Sequence, residues 1–139
     1  MALTRTGLQE LAAVRPAEAG ALLAAGLWDG AYYLAGCAVE CALKACILAL
    51  VERTGIIFED KKFAEKCWTH DPETLMTLAK LMKTLDADRV GDPLLDHNWL
   101  AVRAWDEKTR YVRTSETLAR ELYVTDPAHG VLTWVRQYW

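Results

Sequence analysis

The sequence lacks the signatures of the common catalytic and metal-binding classes. It contains no glycine-rich phosphate-binding loop, no G-x-S-x-G nucleophile motif and no H-E-x-x-H zinc motif. No segment alternates apolar and polar residues with the period of two that a half-buried β-strand shows. These absences argue against a β-sheet protein, and no independent catalytic machinery is visible.

The four cysteines include no C-x-x-C pair, so they do not form a metal framework. Cys37, Cys41 and Cys46 lie on one predicted helix, whereas Cys67 lies outside it. Cys67 and His70 in CWTH are potential metal ligands, but the sequence offers no obvious second pair to complete a closed zinc site. We therefore expect no metal site and no cofactor.

Charge of either sign is modest. The formal net charge is −3 at pH 7, and 53% of the 139 residues are hydrophobic. This balance weighs against broad electrostatic capture of nucleic acid and leaves room for a local basic patch. Charged residues interrupt the first stretch of sequence, which has no signal-peptide hydrophobic run. We expect one domain over residues 1–139, in a soluble cytoplasmic protein without a membrane span.

A long apolar stretch without proline predicts the central helix, at about residues 27–53. Six alanines recur along it at alternating spacings of four and three, so that they share one face: Ala31, Ala35, Ala38, Ala42, Ala45 and Ala49. Such a seam lets a neighbouring helix approach to roughly 8 Å. Glu40 and Lys44 are the only charges between Ala31 and Val51. The pattern predicts a buried helix with one polar spot.

Capping signals divide the rest of the chain into helices. Thr4 or Thr6 starts a first helix, which either ends near Val14 or continues through a kink at Pro16. Asp-Pro pairs predict helix starts at residues 71–72, 92–93 and 126–127, and Ser115 predicts another.

Between these starts, residues 72–85 read as one helix and residues 86–92 as a polar connection. The segment after Gly55 reads as an ordered loop with one helical turn. The prediction is an all-α, up-and-down bundle of four to five helices around the long central helix.

Three stretches in order resemble the HEPN family of small helical-bundle proteins: GAYYLAGCAVECALKACI, ending at Ile47; THDPETLMTLAKL, residues 69–81; and NWLAVRAWDEKTRYVRTS, residues 98–115. The resemblance implies a bundle of four to five helices that usually dimerises. Members of the family include ribonucleases, toxins paired with minimal nucleotidyltransferases, and binding partners without catalysis of their own.

The catalytic signature of the ribonuclease members is an arginine, four to six residues, then a histidine. His70, His97 and His129 each lack an arginine at that distance, and Arg89 lies one residue too far from His97. The chain therefore departs from the family pattern at the residues that carry catalysis.

Glu40 needs a partner, because an unpaired buried carboxylate is costly. One interpretation is structural: Glu40 pairs with Lys44, one turn on, or with Arg110, and only fixes helix packing. The other is functional: His70 and the segment Arg110–Arg113 converge on the polar spot to hold a phosphate. His70 itself is either a loop anchor or a general base. The candidate ligand-binding residues are Tyr33, Glu40, Lys44, His70, Arg110, Tyr111 and Arg113, with Tyr33 or Tyr111 stacking on a base.

Three functions remain open at this point. The first is a non-catalytic, HEPN-like homodimeric module that binds nucleotide or RNA phosphate and partners a separately encoded minimal nucleotidyltransferase. The second is a metal-independent ribonuclease toxin with His70 and either Arg110 or Arg113 as catalytic residues. The third is a structural dimer whose polar spot is only a buried salt bridge. The missing arginine–histidine spacing favours the first and third.

Overall fold

The computed structural model describes residues 3–57, 61–122 and 126–139. These residues form eight α-helices and one 3₁₀ segment, with no strand among them, which confirms the predicted all-α bundle. In chain order the elements are α1 (Arg5–Ala24), α2 (Trp28–Thr54), α3 (Phe63–Lys66), α4 (Pro72–Leu78), α5 (Met82–Gly91), α6 (Pro93–Arg103), the 3₁₀ segment (Glu107–Tyr111), α7 (Glu116–Leu122) and α8 (Val131–Arg136).

Helix α2 is the centre of the bundle and begins and ends within one residue of the predicted bounds. Helices α1, α4, α7, α8 and the 3₁₀ segment all pack against it, α1 most extensively. The alanine seam is buried along its whole length. Since α1 also buries small residues, among them Ala12 and Ala19, the two helices meet with little side-chain bulk between them. By length and composition α2 would also pass as a membrane span, a test that core helices meet too.

Helix α1 is a single helix that runs through Pro16, so the one-helix alternative is the one observed. The hydroxyl of Thr4 caps its first turn by accepting a hydrogen bond from the Gly7 backbone N–H at 3.0 Å. Pro16 is buried against the core.

The prediction of one helix over residues 72–85 is wrong. Helix α4 ends at Leu78, and Lys80 adopts a left-handed φ of 59°. The Leu81 N–H bonds to the Met76 carbonyl and the Lys80 N–H to that of Thr77. This is a Schellman ending, which usually has glycine where Lys80 stands. The next helix, α5, continues to Gly91 and so includes most of the predicted polar connection.

The last helix also starts later than predicted, at Val131 and not at the Asp126-Pro127 pair. Asp126 instead caps a turn, in which its Oδ1 accepts the backbone N–H groups of Ala128 and His129. The His129 side chain reaches Asp92 at 2.8 Å, and Asp92 is itself the N-cap of α6. The turn before α8 is thereby fixed to the start of α6.

Trp105 follows α6, and its ring lies on α2 at Gly36, which has no side chain in its way. It is 2% exposed, and a Cβ built on Gly36 would come 2.0 Å from its Cε2. The indole therefore needs glycine at position 36. This contact brings the chain after α6 onto the central helix.

Gly36→Ala is expected to lower the free energy of unfolding by about 1–3 kcal/mol, because the added methyl displaces the Trp105 ring. The loss should outweigh the gain of about 1 kcal/mol in helix propensity. Urea unfolding measures it. Gly91→Ala is the control, because a Cβ at Gly91 has no heavy atom within 4 Å. A Gly36→Ala variant as stable as the parent would contradict the packing described.

His129→Gln is expected to change how stability depends on pH. The hydrogen bond with Asp92 raises the pKa of His129 above 6.5 and lowers the pKa of Asp92 below 3.8. The histidine contribution is therefore full below pH 6.5 and is lost as the pH rises through the raised pKa. The aspartate contribution is present above pH 3.8 and is lost as the pH falls.

The difference in unfolding free energy between the parent and His129→Gln should therefore be largest between these two pH values and shrink in alkaline buffer. Denaturant unfolding across the pH range measures it. A difference that grows as the pH rises above 6.5 would refute the pairing.

Candidate functional site

A continuous chain of ion pairs connects the middle of α2 with the 3₁₀ segment; we call it the polar network. Glu40 Oε1 accepts hydrogen bonds from Lys44 Nζ at 3.0 Å and from His70 Nδ1 at 2.7 Å. The other ring nitrogen of His70 lies 2.8 Å from Glu107 Oε2. Glu107 Oε1 in turn accepts from Arg110 Nη2 at 3.1 Å. Glu40 therefore pairs with Lys44, as one interpretation predicted, but Arg110 pairs with Glu107 instead.

Local caps position the members of the polar network that lie outside α2. Asp71 caps α4 by accepting the Thr74 N–H at 2.9 Å, as predicted, which fixes the backbone next to His70. Asp106 accepts the Lys108 N–H at 2.7 Å and starts the 3₁₀ segment that carries Glu107. His70 and Glu107 therefore each lie next to a capped turn.

His70 contacts a carboxylate with each of its two ring nitrogens. A neutral imidazole has one N–H donor and an imidazolium has two, so only the charged ring donates to both Glu40 and Glu107. Neither nitrogen is left to take a proton from a substrate. The geometry supports the interpretation of His70 as an anchor over that of a general base.

Arg110 lies between two tyrosine rings. Its guanidinium carbon is 5.9 Å from the centroid of Tyr33 and 5.3 Å from that of Tyr111, within cation–π range. The hydrogen bond to Glu107 is the main cause that raises the pKa of Arg110. Tyr33 also packs near Trp105, with ring centroids 6.2 Å apart. Tyr111 is 77% exposed, so its ring is open to a ligand.

A cavity of about 240 Å³ opens beside His70. Three of its lining residues are acidic, namely Asp71, Asp106 and Glu107, and Thr69, His70 and Trp105 complete the lining. Even with His70 charged, the carboxylates outnumber the cations. The cavity is therefore unsuited to a phosphate, whereas the guanidinium of Arg110 lies beyond Glu107 in the polar network.

Six of the seven predicted ligand-binding residues belong to the polar network or contact it: Tyr33, Glu40, Lys44, His70, Arg110 and Tyr111. Arg113 does not. It is almost fully exposed, and its Nε lies 2.6 Å from Asp29 Oδ2. The sequence reasoning missed Glu107, which joins His70 to Arg110. The spacing of three residues between Glu107 and Arg110 could have indicated that they pair. Nothing in the local sequence indicated the contact between Glu107 and His70.

The cysteines near the polar network are not activated. Burial raises the pKa of Cys37 to about 11 and also raises that of Cys41, with the Glu40 charge adding to both shifts. Thiols with raised pKa values are poor nucleophiles at neutral pH. Within the described residues, no group of three or more His, Cys, Asp and Glu side chains is placed to hold a metal ion.

Removing both His70 and Glu107 should cost less than the sum of the single losses. We expect a coupling energy of about 0.5–1 kcal/mol from the double-mutant cycle of His70→Ala and Glu107→Ala, measured by urea unfolding at mildly acidic pH. The control pair is Glu116 and Arg120, which are exposed and 3.6 Å apart on α7; we expect less than about 0.5 kcal/mol there. Additivity at His70 and Glu107 would rule out an energetic link between them.

Comparison with known proteins found no match: no protein-family model, no curated protein and no solved structure is similar to this chain at the threshold used.

Proposed function

We propose that the chain is a non-catalytic, HEPN-like binding module that binds nucleotide or RNA phosphate. The contact surface is the arginine–tyrosine face, defined as Arg110, Tyr111 and Arg113. The observation that carries the proposal is the guanidinium of Arg110 lying between the rings of Tyr33 and Tyr111, with Tyr111 largely exposed.

The chemistry of these side chains suits a nucleotide. A planar guanidinium binds phosphate through two parallel hydrogen bonds, and an exposed tyrosine ring stacks on a base. Glu107 accepts from Nη2 of Arg110. A guanidinium has five N–H donors, so one such bond leaves others for a ligand. Arg113, three residues on, is almost fully exposed and pairs with Asp29 through Nε, which leaves its other N–H donors for a second phosphate contact.

The same geometry argues against the ribonuclease alternative. In this alternative a ring nitrogen of His70 exchanges a proton with the RNA as general acid or base. Both nitrogens of His70 already face carboxylates, and the family spacing of arginine and histidine is missing from the sequence. Homodimerisation and a minimal nucleotidyltransferase as partner belong to the proposal through the resemblance alone.

Arg110→Ala is expected to weaken binding of a fluorescently labelled single-stranded RNA about tenfold or more, as measured by fluorescence anisotropy. The reason is the loss of charge-assisted hydrogen bonds, each worth about 1.5–3 kcal/mol. The slope of log affinity against log salt should also fall by about one. Tyr111→Ala should weaken binding by the stacking contribution, about 1–3 kcal/mol.

Lys83→Ala is the matched control, because Lys83 is an exposed cation on α5, away from the arginine–tyrosine face. It should leave affinity unchanged at a fixed salt concentration. Equal losses for Lys83→Ala and Arg110→Ala would mean diffuse charge attraction and would overturn the proposed surface. RNA cleavage in the presence of chelator, abolished by His70→Ala, would favour the ribonuclease instead.

A further inference from the structure

A second and larger cavity, of about 440 Å³, is bordered by Lys44 of the polar network. Helices α1, α2 and α3 contribute apolar side chains to it, including Leu8, Ile47, Leu48 and Phe63. Its volume falls within the range of roughly 300–1,000 Å³ that small-molecule sites occupy. Lys44 is the only member of the polar network among its described lining residues.

The cavity has an apolar opening. Trp68, Ile57 and Leu3 line it, although they are 72%, 49% and 49% exposed. Single exposed apolar residues are ordinary, but several around one cavity indicate a binding site. Phe63, by contrast, is 5% exposed and anchors α3 to the core. The wall of the cavity at Phe63 is therefore held in the core, whereas the apolar residues at its opening are accessible to a ligand.

Lys44 is the one charged group among the described lining residues. Its side chain is 13% exposed, and its ammonium group donates to Glu40 Oε1. An ammonium has three donors, so this bond leaves two for a ligand. His70 donates to the same Glu40 oxygen. Glu40 therefore keeps a partner when Lys44 turns towards a ligand in the cavity.

We propose that this cavity binds a small amphiphilic monocarboxylate, with its hydrocarbon chain against the α2–α3 wall and its carboxylate on Lys44. An apolar cavity with one cation at its side matches an apolar anion, and it disfavours a cationic amphiphile. A flat protein surface would cover the rim without reaching a lysine whose side chain is only 13% exposed. The site shares no residue with the arginine–tyrosine face, so the proposal stands or falls independently of RNA binding.

Calorimetric titration of the full chain with decanoate, decanol and decylammonium tests the proposal. Decanoate should bind more tightly than decanol, and decylammonium most weakly. Lys44→Met should weaken decanoate binding about tenfold or more, since it removes the charge and keeps the length of the side chain. It should leave decanol binding unchanged, and Lys44→Arg should restore decanoate binding.

Ala64→Trp should block the cavity and abolish binding of both decanoate and decanol, because Ala64 lines the cavity from α3. The matched controls are Ala13→Trp, at an exposed position on α1, and Lys83→Met; both should bind decanoate as the parent does. If Lys44→Met does not fold, the ranking of the three probes on the parent chain decides.

Three outcomes overturn the proposal. They are the absence of decanoate binding, equal affinities for decanoate and decylammonium, and decanoate binding that survives Ala64→Trp. RNA binding to the arginine–tyrosine face is measured separately, so loss of either activity is assigned without ambiguity.

Discussion

The rest of the structure depends on one carboxylate in the middle of an apolar helix. Glu40 is 13% exposed on α2 and cannot stay there unpaired. Lys44 pairs with it from the next turn, and His70 reaches it from the segment before α4. The second ring nitrogen of His70 contacts Glu107, and Glu107 pairs with Arg110. The need of Glu40 for a partner is therefore linked to the 3₁₀ segment that carries both of these residues. One costly group on α2 thereby holds two connecting segments against the bundle.

The second constraint is steric. Alanines on α2 and α1 allow those helices to meet closely, and Gly36 allows the Trp105 ring to lie directly on α2. Trp105 is followed at once by Asp106 and Glu107, so the packing of one indole decides where the acidic end of the polar network lies. It also packs near Tyr33, which borders Arg110. Small residues on the central helix thus position charged residues that are distant in sequence.

Periodicity and capping chemistry predicted the parts of the fold that depend on local sequence. The long apolar stretch gave α2 to within one residue, and the Asp-Pro pairs gave the caps of α4 and α6. Three boundaries were mispredicted: the end of α4, the end of α5 and the start of α8. Lys80 follows α4 in the left-handed conformation, a position at which glycine is the usual residue and the usual sequence signal. Asp126 caps a turn and not a helix.

The same distinction holds for the site. Glu40 and Lys44 are four residues apart on one helix, so their pairing was predictable. The contact of Glu107 with His70 and the place of Trp68 at the apolar cavity depend on long-range packing.

Glu40 Oε1 accepts from both Lys44 and His70, and this shared oxygen joins three regions of different chemistry. Lys44 borders the apolar cavity, His70 borders the acidic one, and the far end of the polar network borders the arginine–tyrosine face. A carboxylate that draws Lys44 away leaves His70 as the partner of Glu40. His70 Nε2 and Arg110 Nη2 contact different oxygens of Glu107, so both side chains pair with Glu107 at the same time. Glu40 therefore connects the borders of both cavities with the arginine–tyrosine face through one continuous set of side-chain contacts.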